Sequence, residues 1–417
     1  MTSIAVFLSL SYMAMLFTLS RKRRPDALPA PSSVQYAFVI PCLNEERVIG
    51  ATLDNLVPLL RDDDIVLVID DASDDATPDI VLGHPSPRVH LLRRELPNAR
   101  QGKGHALNAA VRHLQASGLL DGRTADEVVI AVFDADGRIA PEALSSVAGY
   151  FRDPQLGAVQ IGVTMRNAQT NLLARLQDME FTVFTEIFQR ARQHIGSVGL
   201  GGNGQFVRLS ALNSLGDDPW TDCLTEDLDL GLRLLLVGWR NAYCPVVAVD
   251  QQAVTEIPRW VRQRARWFQG HLQCWKQIVP VLRSSKLKAK TASDIVWYLI
   301  LPVAVLMIPV AIVPIWIAFA LSFIAAPGQV ADLLLANHGM PLILAYLLCF
   351  GLAYPYAYCY WLRGRMPFWR ALALAHLFEL YSHLWLISGW WAVGRVLFRR
   401  RGWEKTARVV EAPEVAS

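Results

Sequence analysis

The sequence lacks the cysteine patterns that mark disulfide frameworks and zinc sites. Six cysteines are spread over 417 residues, and none forms a CxxC pair or stands at metal-ligand spacing from histidines. We therefore expect reduced thiols that act as small buried hydrophobes. The central part of the chain also lacks a basic face, although the formal net charge is +3. That absence argues against nucleic acid as a partner.

Lysine and arginine instead cluster beside apolar segments. The clusters lie at 21–24, 283–290, 363–370 and 399–401, a pattern typical of residues held on the cytoplasmic side of a membrane. Hydrophobic residues make up 53% of the chain, a high share for a wholly soluble protein. The length allows about two to three domains. These features predict a cytosolic domain attached to the inner (cytoplasmic) membrane by several spans.

The first apolar segment has no charge over residues 3–19, and basic residues follow it. A secretory signal would carry its positive charge before the apolar run and a small-residue cleavage site after it. Here the charge follows the run, and no such cleavage site stands out. Residues 1–20 are therefore predicted to form a transmembrane helix that delivers the chain to the cytosol.

Apolar segments return after the central part of the chain. Residues 295–326 and 341–362 carry no charge over most or all of their length, and both are predicted to span the membrane. The connection 327–340 has no lysine or arginine and is expected outside. The segment 368–398 contains ionisable groups that are costly in hydrocarbon, so we predict an interfacial helix there. The tail, 399–417, is then cytosolic.

Residues 36–285 alternate short β-branched runs with stretches of helical periodicity. The apolar runs lie at 36–41, 65–69, 89–92, 128–133 and 158–163, and the helical stretches lie at 46–60, 103–115 and 141–151. This alternation predicts an α/β fold with a mostly parallel sheet that helices cover on both faces. Ligands of such sheets bind at the carboxyl ends of the strands. Polar residues cluster at those ends in this sequence.

Two later stretches, near 171–192 and 258–282, have apolar residues at helical spacing. Packing on the sheet would explain an apolar stripe in either of them. The second stretch also mixes tryptophan with arginine, which favours the boundary of the lipid headgroups. We predict interfacial helices in both places.

Residues that suit a nucleotide follow the first two strands and open a later helix. Asn44 and Glu45 end the first strand, where a helix cap explains them equally well. Asp71 follows the second strand and could accept hydrogen bonds from a base or ribose; a solvated cluster at a helix start is the rival explanation. Lys103 opens a helix, where both the ammonium and the helix N-terminus favour phosphate. The full P-loop spacing is absent, so we expect no ATPase.

Asp134 and Asp136 form the strongest single motif, directly after an apolar run. In an extended segment alternate residues share a face, so both carboxylates could bind one cation. Mg²⁺ or Mn²⁺ bound to a diphosphate needs few protein carboxylates, because the diphosphate and water supply the other ligands. A polar turn after a buried strand is the alternative. The pattern predicts a divalent-metal site.

Two further motifs complete the candidate site. Glu226 and Asp227 open a predicted helix, and capping would explain one of these carboxylates. Base catalysis would need Asp227 within hydrogen-bond reach of an acceptor hydroxyl. Further along, Gln263, Arg266 and Trp267 offer a donor, a cation for a leaving diphosphate and an aromatic face for a sugar. The ordered set predicts a site for a metal-bound sugar nucleotide and its acceptor.

This set resembles the family 2 membrane glycosyltransferases, which include cellulose, hyaluronan, poly-N-acetylglucosamine and chitin-oligosaccharide synthases. The resemblance covers about residues 36–285 and extends to a tail motif at 403–406. It implies a GT-A fold and inverting transfer from a nucleotide sugar, usually UDP-linked. By the same resemblance, Asp71 contacts the base, Asp134 and Asp136 hold the diphosphate and metal, Asp227 deprotonates the acceptor, and Gln263, Arg266 and Trp267 line the diphosphate and acceptor end.

The resemblance is compatible with two kinds of acceptor, a polysaccharide and a lipid. The leading expectation is transfer of glucose or N-acetylglucosamine from a UDP-sugar to a growing β-linked polysaccharide at the cytoplasmic face. Synthases that secrete their polymer usually carry more than three spans, so several copies or a partner would have to build the pore. The run 202–206 also resembles bacterial enzymes that glucosylate diacylglycerol. The alternative is therefore a glycolipid synthase that adds a hexose to a lipid acceptor.

Overall fold

The structure is a computed structural model that describes residues 2–22 and 34–398. The basic residues 23–24 and 399–401, the motif at 403–406 and the predicted cytosolic tail 399–417 lie outside this part of the chain. All further statements concern the described residues.

Eight strands form one sheet in the order β3-β2-β1-β4-β7-β6-β8-β5. The strands are β1 Gln35–Cys42, β2 Ile65–Asp70, β3 Val89–Arg93, β4 Val128–Val132, β5 Arg138–Ile139, β6 Leu156–Met165, β7 Gln205–Arg208 and β8 Arg240–Gln251. Strands β3, β2, β1 and β4 are parallel, as are β6 and β8. Strand β7 is antiparallel to both of its neighbours, and β5 is antiparallel to β8. The predicted α/β fold is confirmed, but as a mixed sheet whose first four strands form the parallel, Rossmann-like half.

Helices precede, interleave with and follow these strands. The α-helices are α1 Thr2–Ser20, α2 Ile49–Leu56, α3 Thr77–Leu82, α4 Lys103–Ala116, α5 Ala143–Ala148, α6 Leu172–Val183, α7 Arg190–Ile195, α8 Leu209–Asn213, α9 Glu226–Val237, α10 Ile257–Gln273, α11 Ile278–Arg283, α12 Ala289–Ala325, α13 Pro327–Phe350, α14 Ala353–Leu362, α15 Phe368–Ser382 and α16 Leu384–Leu397. A π-helical segment, Phe184–Gln189, joins α6 to α7. Short 3-10 turns lie at Val57–Leu59, Gly149–Arg152 and Cys274–Gln277.

The alternation of side chains along β1 divides the core of the sheet into two halves. Phe38 and Ile40 belong to the buried cluster that includes Leu53 of α2. Ala37 and Val39 point to the other face and belong to the cluster with α4 and α9. Because successive residues of a strand face opposite sides, a strand covered on both faces is apolar throughout. This explains why β1, β2 and β4 were recognisable as continuous apolar runs.

A third buried cluster joins the sheet domain to the C-terminal helices. It includes Met179 of α6, Trp260 of α10 and Tyr360 of α14, together with Leu16 of α1. The Tyr360 hydroxyl also donates a hydrogen bond of 2.7 Å to the buried carboxylate of Asp178. Helices α6 and α10, predicted to be interfacial, therefore lie between the sheet and the apolar helices. Their position at a lipid boundary stays a prediction.

The apolar helices expose large side chains. In α12 and α13, Ile324 is 77% exposed and Leu348 is 60% exposed. Apolar surface of this extent indicates a lipid environment or a partner. Among the described helices, Pro327–Phe350 and Phe368–Leu397 are long and apolar enough to cross a bilayer. The structure thus supports membrane association, and the number of spans stays a prediction.

The apolar segments differ in detail from their predicted bounds. Helix α12 covers nearly all of 295–326. The segment 341–362 is divided between α13 and α14, and 327–340 is helical up to the non-helical backbone at 336–339. The segment 368–398 forms α15 and α16. Its length suits a span as well as the interfacial position that we predict from its charges.

Candidate functional site

A cavity of about 490 Å³ opens where the parallel strands β1, β2 and β4 end. Most of the residues predicted from the sequence line it: Glu45, Asp71, Lys103, Asp134, Glu226, Asp227, Gln263, Arg266 and Trp267. Asn44 and Asp136 do not line it. The cavity continues from the strand ends to helices α10, α12 and α16, so it joins the polar edge of the sheet to the apolar helices.

Lys103 lies at the centre of the polar part of the cavity. Its Nζ donates hydrogen bonds of 2.6 Å to Oδ1 of Asp134 and 2.6 Å to the carbonyl oxygen of Gly202, and Glu226 Oε1 lies 4.0 Å away. Burial alone would lower the pKa of this ammonium, but the negative charges of Asp134 and Glu226 outweigh it and raise the pKa. Lys103 is therefore a permanent cation at the first turn of α4.

Gly202 brings the backbone between Lys103 and Asp227. A Cβ at this position would lie 3.3 Å from Nζ of Lys103 and 3.4 Å from Oδ2 of Asp227. The glycine therefore lets the loop after Leu200 approach both charged groups closely. Lys103 also holds Asp134, so the carboxylates of the two separate motifs, Asp134 and Asp227, line one cavity with the same cation.

The carboxylates at the start of α9 are unusually basic. Burial, reinforced by the neighbouring charge of Asp227, raises the pKa of Glu226 to about 7, against the pull of Lys103 and Arg266. Burial also raises the pKa of Asp227, although the Leu228 N–H donates a 2.8 Å hydrogen bond to its Oδ1. A carboxylate with a raised pKa accepts a proton more readily near neutral pH. The arrangement therefore suits general-base chemistry.

Helix α10 fixes the position of these carboxylates by close packing. A Cβ on Gly270 would lie 2.5 Å from the backbone nitrogen of Thr225, which is too close for any side chain. The Leu224 N–H donates a 2.8 Å hydrogen bond to Oε1 of Gln273, also in α10. The segment that precedes α9 is thus held directly against the helix that carries Gln263 and Arg266.

Asp71 lines the cavity at the end of β2, and its predicted contact with the nucleotide base stays a prediction. Its Oδ1 lies 2.5 Å from Nη1 of Arg94, and its Oδ2 accepts a 3.1 Å hydrogen bond from the backbone of Arg100. Asn44 lies at the same edge of the sheet but has a structural contact there. Its Oδ1 accepts a hydrogen bond of 2.8 Å from the Asp74 N–H, and its φ is +55°. Asn44 therefore joins the loops after β1 and β2 outside the cavity. Its predicted role in nucleotide binding stays untested.

Asp134 and Asp136 do not face the same space. The chain turns after β4, with a 2.9 Å hydrogen bond from the Gly137 N–H to the Asp134 carbonyl, so the segment is not extended as we expected. Asp136 is fully buried, and its Oδ2 accepts a 2.8 Å hydrogen bond from the Gln252 N–H. In the described part of the chain, no group of three or more acidic, histidine or cysteine side chains could hold a metal ion. One carboxylate, Asp134, therefore fits a cation that is delivered with a diphosphate, whose own oxygens supply further ligands.

The other end of the cavity is aromatic. Trp267 contacts Phe181 edge-on, with ring centroids 6.0 Å apart. Further lining residues there are Phe184, Phe268, Tyr298, Pro302 and Trp385. The sequence reasoning missed these positions, because packing alone explains an apolar residue on a helix. One structural signal is the π-helical segment that begins at Phe184, since such segments frequently occur at functional sites.

Comparison with known proteins agrees with this geometry. The family described as "Glycosyltransferase like family 2" matches residues 31–270, more than half of the chain. The chain belongs to this family. The resemblance noted in the sequence is therefore confirmed for the family, though not for the polysaccharide synthases within it.

Two of the similar curated proteins are named as synthases of a glucosylated diacylglycerol. The beta-monoglucosyldiacylglycerol synthase of Synechocystis sp. is 31% identical over 292 residues, which cover 68% of this chain and 57% of that protein. The synthase of the same name from Trichormus variabilis is 32% identical over 284 residues, with 67% and 57% covered. The matched part of the chain thus spans little more than half the length of these relatives.

A similar solved structure supports the fold. The mannosyltransferase PcManGT from Pyrobaculum calidifontis, solved with GDP-Man and Mn²⁺, has a TM-score of 0.59 and 22% identity. The likeness covers 91% of this chain and 99% of that one. At this identity it supports the architecture alone, including the helices that follow the sheet domain.

Proposed function

We propose that the protein is an inverting glycosyltransferase that moves a hexose, with glucose as the first candidate, from a UDP-sugar to the hydroxyl group of a membrane lipid such as diacylglycerol. The observation that carries this proposal is the composition of the cavity. Its charged end lies at Lys103 and Asp134, and its aromatic end lies against the apolar helices. The names of the similar curated proteins favour the same acceptor.

The donor binds at the charged end in this proposal. Asp71, held by Arg94, accepts hydrogen bonds from the base or ribose. Lys103 and Arg266 contact the diphosphate, because both are cations that line the cavity. A bound Mg²⁺ or Mn²⁺ would share Asp134 with the diphosphate and neutralise charge on the leaving group. Lys103 and Arg266 likewise neutralise negative charge on the leaving diphosphate.

Asp227 acts as the base. The acceptor hydroxyl attacks the anomeric carbon while its proton moves to the Asp227 carboxylate, and the bond from that carbon to the diphosphate oxygen breaks. Attack from the side opposite the leaving UDP inverts the anomeric configuration. The raised pKa of Asp227 and its place in the same cavity as Lys103 and Asp134 support this role.

The acceptor binds at the aromatic end. Phe181, Phe184 and Trp385 offer apolar surface that suits the glycerol and first methylenes of a lipid. Residues of the apolar helices α12 and α16 line this end of the cavity, which places the acceptor next to the part of the protein that we expect in the bilayer. The polysaccharide function is less well supported, and we infer no pore-forming partner.

Product analysis tests the proposal. Purified full-length protein is incubated with labelled UDP-glucose or UDP-N-acetylglucosamine and vesicles that contain diacylglycerol. We expect label in an organic-extractable monohexosyl lipid and a strong preference for one donor. Asp227→Asn is the negative control, and we expect it to form no labelled lipid. Label that appears only in water-soluble or insoluble polymer would overturn the lipid acceptor and restore the polysaccharide function.

A further inference from the structure

Arg264 lies next to Gln263 in α10 but, unlike Gln263, it is not among the residues that line the cavity. Its side chain is fully buried. The guanidinium carbon lies 4.0 Å from the centroid of the Trp267 ring, and aromatic rings surround it at 5.2 to 5.7 Å: Trp260, Phe181 and Trp385. A guanidinium stacks well on aromatic faces, and the attraction strengthens when water is excluded. Arg264 therefore stacks on the Trp267 ring and restrains its orientation.

Hydrogen bonds hold this guanidinium in place. Its Nη2 donates to Oε2 of Glu180 at 2.9 Å, and the same oxygen accepts from the Tyr381 hydroxyl at 2.5 Å. The Tyr381 oxygen in turn accepts from Nε1 of Trp260 at 2.7 Å. Because Tyr381 belongs to α15, one of the apolar helices contributes directly to the orientation of a residue in α10.

Arg264 also orients the neighbouring amide. Its Nη1 donates to Oε1 of Gln263 at 2.7 Å. With the amide oxygen engaged, the NH₂ group of Gln263 is the part left to face the cavity as a donor. One buried arginine thus sets both the plane of the Trp267 ring and the direction of the Gln263 amide.

We propose that Arg264 is a positioning residue for the acceptor, and that the hydrogen bond that Tyr381 donates to Glu180 makes this positioning depend on the packing of α15 against α10. The inference rests on the proposed function in taking Gln263 and Trp267 as the acceptor's contacts. Small errors in the orientation of a reacting group cost much rate, and a displacement of 1 Å costs on the order of 100-fold. Most of the donor end, at Asp71, Lys103 and Asp134, belongs to other elements, and Arg266 is the one proposed diphosphate contact that shares α10 with Arg264.

The test compares sugar transfer with donor hydrolysis. Arg264→Met keeps the length of the side chain but removes the charge, and Arg264→Lys keeps the charge but not the planar stacking group. Tyr381→Phe removes only the link to α15. Arg262→Met, an exposed arginine in the same helix, is the matched control. For each variant, kcat and KM for acceptor, the rate of UDP-sugar hydrolysis without acceptor, and the Kd for UDP are measured in vesicles.

We expect Arg264→Met to reduce transfer on the order of 100-fold, while hydrolysis and the UDP Kd stay within about twofold of the parent protein. Arg264→Lys and Tyr381→Phe should reduce transfer by smaller factors in the same direction, with a raised acceptor KM. Arg262→Met should leave all values unchanged. A residue that only stabilises the fold would lower hydrolysis and transfer by the same factor.

Equal losses of hydrolysis and transfer, or unchanged transfer in the Arg264 variants, would overturn the inference. If Arg264→Met does not fold, the ratio of transfer to hydrolysis in Arg264→Lys and Tyr381→Phe tests the inference instead. Failure of the proposed function looks different, because the parent protein itself would then transfer sugar to a glycan and not to diacylglycerol. In that case the ratio of transfer to hydrolysis is measured with the glycan as acceptor. The role of Arg264 is thereby tested independently of the acceptor's identity.

Discussion

Lys103 Nζ lies 2.6 Å from Oδ1 of Asp134, so the cation at the centre of the site is shared between an acidic side chain and any phosphate that binds there. Charge-assisted contacts of this kind are short and strong, and they orient both partners. The pair ties the helix that begins at Lys103 to the segment that follows β4. Two elements of the nucleotide-binding half are therefore aligned by one contact.

We expect Lys103→Met to weaken donor binding. A hydrogen bond to a charged group contributes about 1.5 to 3 kcal/mol, which corresponds to roughly a 10- to 100-fold rise in the Kd for UDP. Isothermal titration of the purified protein with UDP measures this change. Lys103→Arg keeps the positive charge and should lose less affinity. An unchanged Kd in Lys103→Met would show that the ammonium does not contact the diphosphate.

Asp227→Asn is expected to abolish turnover and to leave UDP binding nearly intact. The base acts on the acceptor proton in the transition state, and such groups typically contribute about 100- to 10,000-fold to the rate. Initial rates of lipid glycosylation and the UDP Kd are measured on the same preparation. Asp218→Asn, an exposed aspartate, is the control. A collapse of UDP affinity together with the rate would assign Asp227 to the donor instead.

The two aspartates of the motif after β4 should respond differently to substitution. Asp134→Asn is expected to lower the extent to which Mn²⁺ strengthens UDP binding, because Asp134 lines the cavity. Asp136→Ala should instead lower the midpoint of thermal unfolding, because it removes the acceptor for the Gln252 N–H. UDP titrations with Mn²⁺ and with EDTA, and calorimetry, separate the two effects. Loss of the metal effect in Asp136→Ala with unchanged stability would support a shared metal site for both residues.

The stability of the protein should depend on pH through Glu226. Burial raises the pKa of this carboxyl from 4.5 to about 7, so the folded protein binds the proton more tightly than the unfolded chain does. The free energy of unfolding therefore falls as pH rises from about 4.5 to about 7, and the full loss persists above that range. Glu226→Gln should flatten this part of the profile. Urea unfolding between pH 5 and pH 8 measures the free energy of unfolding at each pH. Glu142→Gln, at an exposed glutamate, is the control. Parallel profiles for the parent protein and Glu226→Gln would contradict the expectation.

The sequence predicted the polar half of the site well, because parallel strands place their carboxyl ends at one edge. The apolar runs located β1, β2 and β4, and the polar residues that follow them line the cavity. There are two exceptions. Asn44 joins two loops outside the cavity, and Asp136 is buried because the chain turns at Gly137 where we assumed an extended segment. Strands β7 and β8 escaped prediction because they are short or interrupted by polar residues and Pro245.

The aromatic half of the site could not be predicted from the sequence. Phe184, Tyr298 and Trp385 lie on three separate segments, and each is apolar in a way that core packing explains on its own. Only tertiary structure brings them to one cavity. The position of Arg264 is a similar case, because its motif neighbours Gln263 and Arg266 face the cavity while its own side chain is enclosed.

The contact between Gly270 and Thr225 restricts which exchanges this region tolerates. Because a Cβ on Gly270 would lie 2.5 Å from the Thr225 backbone nitrogen, no side chain fits between α10 and the segment that precedes α9. Under the proposed function, a new acceptor preference would therefore arise from exchanges of side chains at other positions along α10.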